Sequence, residues 1–113
     1  MIIELPFPPS VNTYWRMFQN RMIISKAGRQ YREAALAMLK AQGFQKRLEG
    51  KLVVSIEAFR PDNRVRDVDN YLKAPLDALT HAGVYSDDSQ ICDLRIYWAD
   101  EKGGKIRIYL EER

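Results

Sequence analysis

The sequence predicts a single α+β domain in which two main helices pack on a small, mostly antiparallel or mixed sheet. Three patterns carry that reading. Lys51–Arg60 alternates cleanly, with Leu52, Val54, Ile56 and Ala58 on one face and Val53, Ser55, Glu57 and Phe59 on the other. Lys26–Gln42 and Asp69–Ala82 repeat their apolar residues at helical spacing. A chain of 113 residues with 46% hydrophobic and 29% charged residues has the size and composition of one globular unit, so residues 1–113 are read as one domain.

Taken in order, Ile2–Leu5 is a short strand stopped by Pro6-Phe7-Pro8-Pro9, whose prolines lack N–H donors. Tyr14–Phe18 and Arg21–Ile24 are placed as a hairpin about Gln19-Asn20. Ser25 is the expected N-cap of the first main helix, and Gly43 its stop. That helix offers Ala27, Tyr31, Ala34, Ala35 and Met38 as its apolar positions. Asp69–Ala82 is the second, with Tyr71, Leu72, Leu76 and Leu79 at helical spacing and Gly83 as its stop. Pro75 interrupts it: either the helix kinks there, or a short turn carries Asp69–Ala74 and the helix starts at Pro75. Asp93–Trp98 and Lys105–Glu111 alternate on either side of Gly103-Gly104 and are predicted to form a terminal hairpin.

Several classes are excluded. No apolar run approaches the ~20 residues of a membrane span, and no signal peptide is visible at the N-terminus. A lone Cys92 makes no internal disulfide and has no metal-ligand neighbours, so a reducing, cytoplasmic setting is expected. The net charge of +3 is unevenly spread: residues 1–50 carry +5 and residues 51–113 carry −2. A basic half suits a polyanion.

The most informative stretch is Arg64-Val65-Arg66-Asp67-Val68-Asp69-Asn70-Tyr71-Leu72-Lys73. Asp67 and Asp69 are two residues apart, so in extended backbone their carboxylates project to the same side. Such a pair repels unless a cation lies between, and hard oxygen donors suit Mg²⁺ or Mn²⁺. Lys73 follows Asp69 by one helical turn, and Arg64 and Arg66 stand just upstream. Carboxylates for a metal and cations for phosphate are the parts of metal-assisted phosphodiester cleavage. A D-x-D alone is weak, because acids near a helix N-terminus and Asp–Lys pairs at i,i+4 are ordinary stabilising devices. Asp87-Asp88 supplies the next acids in a loop after Gly83, and a chain returning into the next strand would bring it back toward Asp67 and Asp69. His81 reads as a helix C-terminal residue, and the tryptophans and tyrosines as core and sheet-face aromatics.

The ordered set is more specific than its parts. Leu5-Pro6-Phe7-Pro8-Pro9-Ser10-Val11-Asn12, Arg66-Asp67-Val68-Asp69-Asn70 with Lys73, Asp77-Ala78-Leu79, Ala82-Gly83-Val84, Asp87-Asp88-Ser89-Gln90 and Lys102-Gly103-Gly104 together resemble the RusA family of Holliday-junction resolvases. The resemblance spans nearly the whole chain. It implies a small, dimeric, bacterial or phage-encoded endonuclease that resolves four-way DNA junctions with Mg²⁺, Mn²⁺ being a substitute, in DNA recombination and repair. It places the acidic triad on Asp67, Asp69 and Asp88 and the essential lysine on Lys73. Arg64-Val65-Arg66 is less dense in arginine than the runs of some relatives, which bears on junction affinity.

The expected activity is therefore paired, symmetric nicking that leaves 5′-phosphate and 3′-hydroxyl ends, by a homodimer. Asp67, Asp69 and Asp88 are expected to bind the metal, and Lys73 to stabilise phosphoryl charge or position water. Arg16, Arg29, Arg32, Arg64 and Arg66 are the candidate DNA-backbone contacts. The rival from a different class is a non-catalytic branched-DNA-binding protein.

Overall fold

The computed structural model describes residues 1–44 and 47–113. Its centre is a four-stranded sheet built from β1 (Ile2–Pro6), β4 (Leu52–Phe59), β5 (Ile91–Trp98) and β6 (Lys105–Glu112). The spatial order is β1-β6-β4-β5, with β1–β6 and β6–β4 antiparallel and β4–β5 parallel. A short helix α1 (Val11–Tyr14) leads into a separate hairpin of β2 (Trp15–Phe18) and β3 (Arg21–Ile24). Two longer helices, α2 (Lys26–Ala41) and α3 (Lys73–His81), complete the α+β domain.

The alternation in β4 does what its sequence demands. Leu52, Val54, Ile56 and Ala58 are fully buried, with Ile106, Ile108 and Leu110 of β6 and Ile3 and Leu5 of β1 beside them. Tyr31, Ala35 and Leu39 of α2 and Leu76, Ala78 and Leu79 of α3 close the same core.

Two expectations are corrected and one open alternative is decided. Residues 93–98 and 105–111 are strands but not a hairpin: β5 and β6 lie on opposite sides of β4. β4 buries its whole inner face and takes a strand on each edge, so the 99–104 loop crosses its end. Gly103 and Gly104 donate there to the Arg60 and Phe59 carbonyls at 3.1 and 3.0 Å. In α2 the buried stripe is Gly28, Tyr31, Ala35 and Leu39, whereas Ala27 and Ala34 face solvent. Gly28 belongs to the stripe because a Cβ there would lie 2.8 Å from the Tyr14 carbonyl. Of the two readings of Asp69–Ala82, the turn followed by a helix holds with shifted bounds: a 3₁₀ turn, Val68–Tyr71, precedes α3, which starts at Lys73 rather than Pro75. Pro75 is the third residue of α3, where a missing N–H costs no helical bond.

The remaining local signals hold with small shifts. Tyr14 ends α1 rather than opening β2, and Gln19 and Asn20 both take positive φ (49° and 63°), the geometry of a tight hairpin turn. The Ser25 side chain caps α2 by accepting from Gly28 N–H at 3.0 Å. His81 is the exposed last residue of α3.

Candidate active site

The segment bearing Asp67 and Asp69 leaves the end of β4 and is pinned by aromatic packing. Tyr71 is buried between Phe7, at 5.0 Å between ring centroids, and Trp98, at 5.9 Å. Phe7 and Trp98 stack within 12° of parallel at 6.3 Å. The proline run fixes Phe7, and its N–H donates to the Gly104 carbonyl. Guanidinium groups cover the trio: Arg60 lies 4.3 Å from the Trp98 ring and Arg66 5.7 Å from Phe7. Anchored at Tyr71, the turn leaves Asp67 and Asp69 exposed. Asp67 stands at the N-cap position without a side-chain capping bond, although its carbonyl accepts from Asn70 N–H at 3.1 Å.

Lys73 opens α3, half-buried, with its ammonium 5.6 Å from the centroid of Trp15. That cation–π contact fixes the charge beside the root of the β2–β3 hairpin. One turn further along, Asp77 joins α3 to α1 and α2. Its Oδ2 accepts from the Tyr14 hydroxyl and, at 2.8 Å, from both Nε and a terminal nitrogen of Arg32. Burial, reinforced by the neighbouring Asp77, pushes the Tyr14 hydroxyl well above its usual value, so it remains a donor.

The third acid is positioned by a different device. Asp88 Oδ1 lies 2.7 Å from the Thr80 hydroxyl and 3.1 Å from that of Tyr85. The Leu76 carbonyl lies 3.1 Å from Thr80 Oγ1 and 2.8 Å from the Tyr85 hydroxyl. Two hydroxyl protons serve two acceptors, and the shorter pairing has Thr80 donating to Asp88 and Tyr85 to Leu76. Among the described residues no hydrogen bond reaches Asp88 Oδ2. Asp87 caps the following 3₁₀ turn, accepting from Ser89 N–H at 2.9 Å, while Gln90 Oε1 accepts from the Asp87 N–H at 3.0 Å. The Gln90 amide also donates to the Leu48 and Gly50 carbonyls, tying the loop to the edge of the domain.

The five candidate DNA-contacting arginines separate into two groups. Arg16 and Arg29 are exposed, and Arg64 is 79% exposed with only a 3.4 Å contact to Asp62. Arg32 is occupied by Asp77. Arg66, whose side chain is 10% exposed, forks onto Asp62 with bonds of 2.7 and 3.1 Å. That guanidinium, with the Arg64 N–H, holds the Asp62 carboxyl far below the usual carboxylate range. Arg32 and Arg66 are thus braces. Charge composition alone does not separate a free cation from a paired one. Thr80, Tyr85 and Asp62 were not expected at the site; the signal for Thr80 was its spacing, since Lys73, Asp77 and Thr80 share a face of α3.

The chain's return does not gather the three acids into one group. Asp67 and Asp69 precede α3, whereas Asp88 sits beside Thr80, about 10 Å along the helix from Lys73. Among the described residues no three His, Cys, Asp or Glu side chains could hold a metal ion on their own. Mg²⁺ beside a phosphate takes one or two carboxylates and fills its other positions with water and substrate oxygens. Asp67 and Asp69 are exposed hard-oxygen donors of that kind, and Asp88 Oδ2 is a further one. The extended backbone expected to set the first two on one side, however, ends at Asp67, since Asp69 lies within the 3₁₀ turn.

Known proteins resemble this chain along the same span. The family model described as Endodeoxyribonuclease RusA matches residues 6–111. A crossover junction endodeoxyribonuclease rusA of Enterobacteria phage 82 is 39% identical over 111 residues, 97% of this chain and 92% of the relative. That of Enterobacteria phage HK97 is 38% identical over 109 residues, 96% and 91% of the two chains. The RusA of Escherichia coli (strain K12) is 38% identical over 111 residues, with coverage of 97% and 92%. The matched span runs unbroken from the proline-flanked Phe7 through the acidic turn and α3 to the last strand. With the fold, the acids and the lysine all inside it, this chain belongs to the RusA family of endodeoxyribonucleases.

Proposed function

We propose that this endodeoxyribonuclease resolves four-way DNA junctions in a Mg²⁺-dependent reaction, nicking two opposed strands symmetrically to leave 5′-phosphate and 3′-hydroxyl ends. The observation that carries the reading is the contrast around α3: exposed carboxylates on Asp67 and Asp69 in the turn that leads into the helix, an ammonium on Lys73 set against Trp15 where the helix opens, and Asp88 oriented by Thr80. Relatives of this length and coverage are named for crossover junctions. The rival, a protein that binds branched DNA without cutting it, gains nothing from exposed carboxylates next to a polyanion, because they only weaken attraction.

Asp67 and Asp69 would hold the cation, with Mn²⁺ as a substitute, and Asp88, set apart beside Thr80, would offer Oδ2 as a further oxygen. When bound, it supplies Lewis acidity to the scissile phosphate and acidifies the attacking water. The chain's own residues do the rest. Lys73 stabilises charge growing on the phosphoryl oxygens, its side chain preset against Trp15. Thr80 holds Asp88 in one rotamer, and the Asp62–Arg66 fork with the aromatic trio holds the acidic turn. Arg16, Arg29 and Arg64 contact the DNA backbone without reading sequence.

The working unit is a homodimer. Two symmetric nicks in a junction with approximate two-fold symmetry need two sites related by one axis. β5 supports this: it is a sheet edge, eight residues long, with Leu94 and Tyr97 40% and 39% exposed. If two β5 strands pair antiparallel about Leu94, Asp93 of each lies opposite Arg95 of the other, a self-complementary match. The deciding experiment is cleavage of a synthetic four-way junction with both strands mapped, in Mg²⁺ and in EDTA. Symmetric nicks that need Mg²⁺ are expected; junction binding without cleavage would establish the rival.

A further inference from the structure

The β2–β3 hairpin stands outside the main sheet and pairs only with itself, Met17 opposite Met22 and Phe18 opposite Arg21. Its root is anchored: Trp15 and Ile24 pack on the core, and Ser25 N–H donates to the Tyr14 carbonyl at 2.9 Å. Its outer half is not. Met17, Phe18 and Met22 are 61%, 48% and 59% exposed, three large apolar side chains on eight strand residues. A two-stranded ribbon is marginal in water by itself, so stability alone does not account for apolar surface at its tip.

The charge around the tip selects the partner. No Asp or Glu occurs between Glu4 and Glu33, while Arg16, Arg21, Lys26 and Arg29 lie within that interval and are exposed. The Arg16 guanidinium sits 5.4 Å from the Phe18 ring, so cation and apolar surface are presented together. Basic side chains beside exposed aromatic and thioether groups fit a nucleic acid whose bases are accessible, with phosphates flanking them.

The hairpin also has a fixed relation to the candidate active site. Trp15, at its root, carries the Lys73 ammonium on its ring. From Trp15 to Phe18 the strand rises about 10 Å, roughly three stacked base steps.

We infer that the hairpin tip, Phe18 with Met17 and Met22, inserts into the interrupted base stack at the centre of a branched DNA while Arg16 and Arg21 hold the flanking phosphates. This rests on the junction reading above and extends it: the tip makes the enzyme prefer a branch point and sets its distance from the cut. Wedging between bases of continuous duplex costs a few kcal/mol of stacking. At a branch point the stack is already broken, so the same insertion is cheaper there, and the difference appears as structure selectivity.

The test compares the full-length parent, Phe18→Ser and a Met17→Ser/Met22→Ser variant, all in EDTA so that cleavage does not intervene. Each is titrated onto a four-way junction carrying 2-aminopurine at the crossover and onto the matching linear duplex. The parent should raise 2-aminopurine fluorescence at the junction only. Both variants should lose that rise and lose about ten-fold in junction affinity, with duplex affinity unchanged. The substituted side chains are exposed, so circular dichroism and the melting midpoint should stay at parental values. A parent that discriminates junction from duplex while both variants discriminate and unstack equally well would overturn the hairpin assignment alone. A parent that does not discriminate would overturn the junction reading together with it. Hairpin-dependent binding to anionic phospholipid vesicles, without any 2-aminopurine response, would assign the tip to a lipid surface and overturn the proposal.

Discussion

The two acid-bearing segments of this protein are held by opposite means. Residues 67–71 are fixed from below by apolar contact, with Tyr71 between Phe7 and Trp98, and their carboxylates are left bare. Residues 86–90 are fixed by polar bonds: Asp87 caps the turn, Gln90 ties it to Leu48 and Gly50, and Asp88 accepts from Thr80 of α3. An aromatic anchor consumes no donor or acceptor and so leaves both acids their full ligand capacity. A hydrogen-bonded anchor occupies part of that capacity but fixes the rotamer of the acid it touches. The first arrangement leaves its oxygens open to solvent, and the second sets one atom in a fixed direction.

The largest effect should come from the bare segment. Asp69→Asn removes an exposed carboxylate that makes no side-chain hydrogen bond or ion pair among the described residues, so the fold should be untouched. Single-turnover cleavage of a four-way junction should fall by more than about 100-fold, beyond what the loss of a mere supporting residue costs a metal site. Junction binding should be equal or tighter, because a negative charge has left the neighbourhood of phosphate. Cleavage near the parental rate would remove Asp69 from the ligand set. Thr80→Val probes the other segment. It strips the 2.7 Å donor from Asp88 and keeps the shape of the side chain, so cleavage should fall about 10- to 100-fold with little change in binding. The rotamer interpretation further requires the same variant to need more Mg²⁺ for half-maximal rate.

Trp98→Ala separates the two anchors by mechanism. It removes one face of the aromatic trio and the ring under Arg60, and should cost about 2 kcal/mol of stability by denaturant unfolding. Cleavage should fall several-fold, because the turn bearing Asp67 and Asp69 loosens while Lys73, Thr80 and Asp88 keep their partners. Trp98→Phe should recover most of both losses. Equal loss in the two variants would mean that ring packing is not what holds the turn.

What was legible in the sequence follows from the range of the interaction. β4, the Ser25 cap and the Gln19-Asn20 turn are local patterns, and each reads correctly because neighbouring residues decide it. Strand partners are not local. Alternation identified 93–98 and 105–111 as strands, but their pairing is set by β4, some forty residues earlier, and Gly103-Gly104 serves a crossing loop instead of a tight hairpin. Of the α2 alanines only Ala35 lies in the buried stripe, whose position depends on where the Tyr14 carbonyl approaches Gly28. The acids and lysine of the resemblance are visible as a motif, and the structure packs Phe7 of the proline run against Tyr71 of the acidic turn. The partners of those residues are hidden, since Asp62 on Arg66, Asp77 on Arg32 and Thr80 on Asp88 are choices made by tertiary packing.

The smallest effect should come from Asp87, the acid that the polar segment uses for itself. Its carboxylate accepts from Ser89, and those bonds hold it below the usual carboxylate range. A carboxyl depressed in the folded state contributes stability that is present above its unfolded value, near 3.9, and is lost as pH falls through the folded one. Asp87→Asn keeps an acceptor in the N-cap position and removes only the charge. At neutral pH the variant should therefore melt slightly below the parent, and the gap should close as the pH is lowered past 4. Cleavage at pH 7 should stay within about two-fold of the parent, because Thr80 and Tyr85, not Asp87, touch Asp88. A loss approaching that of Asp69→Asn would move Asp87 from capping into the ligand set and erase the distinction between the two anchors at this position.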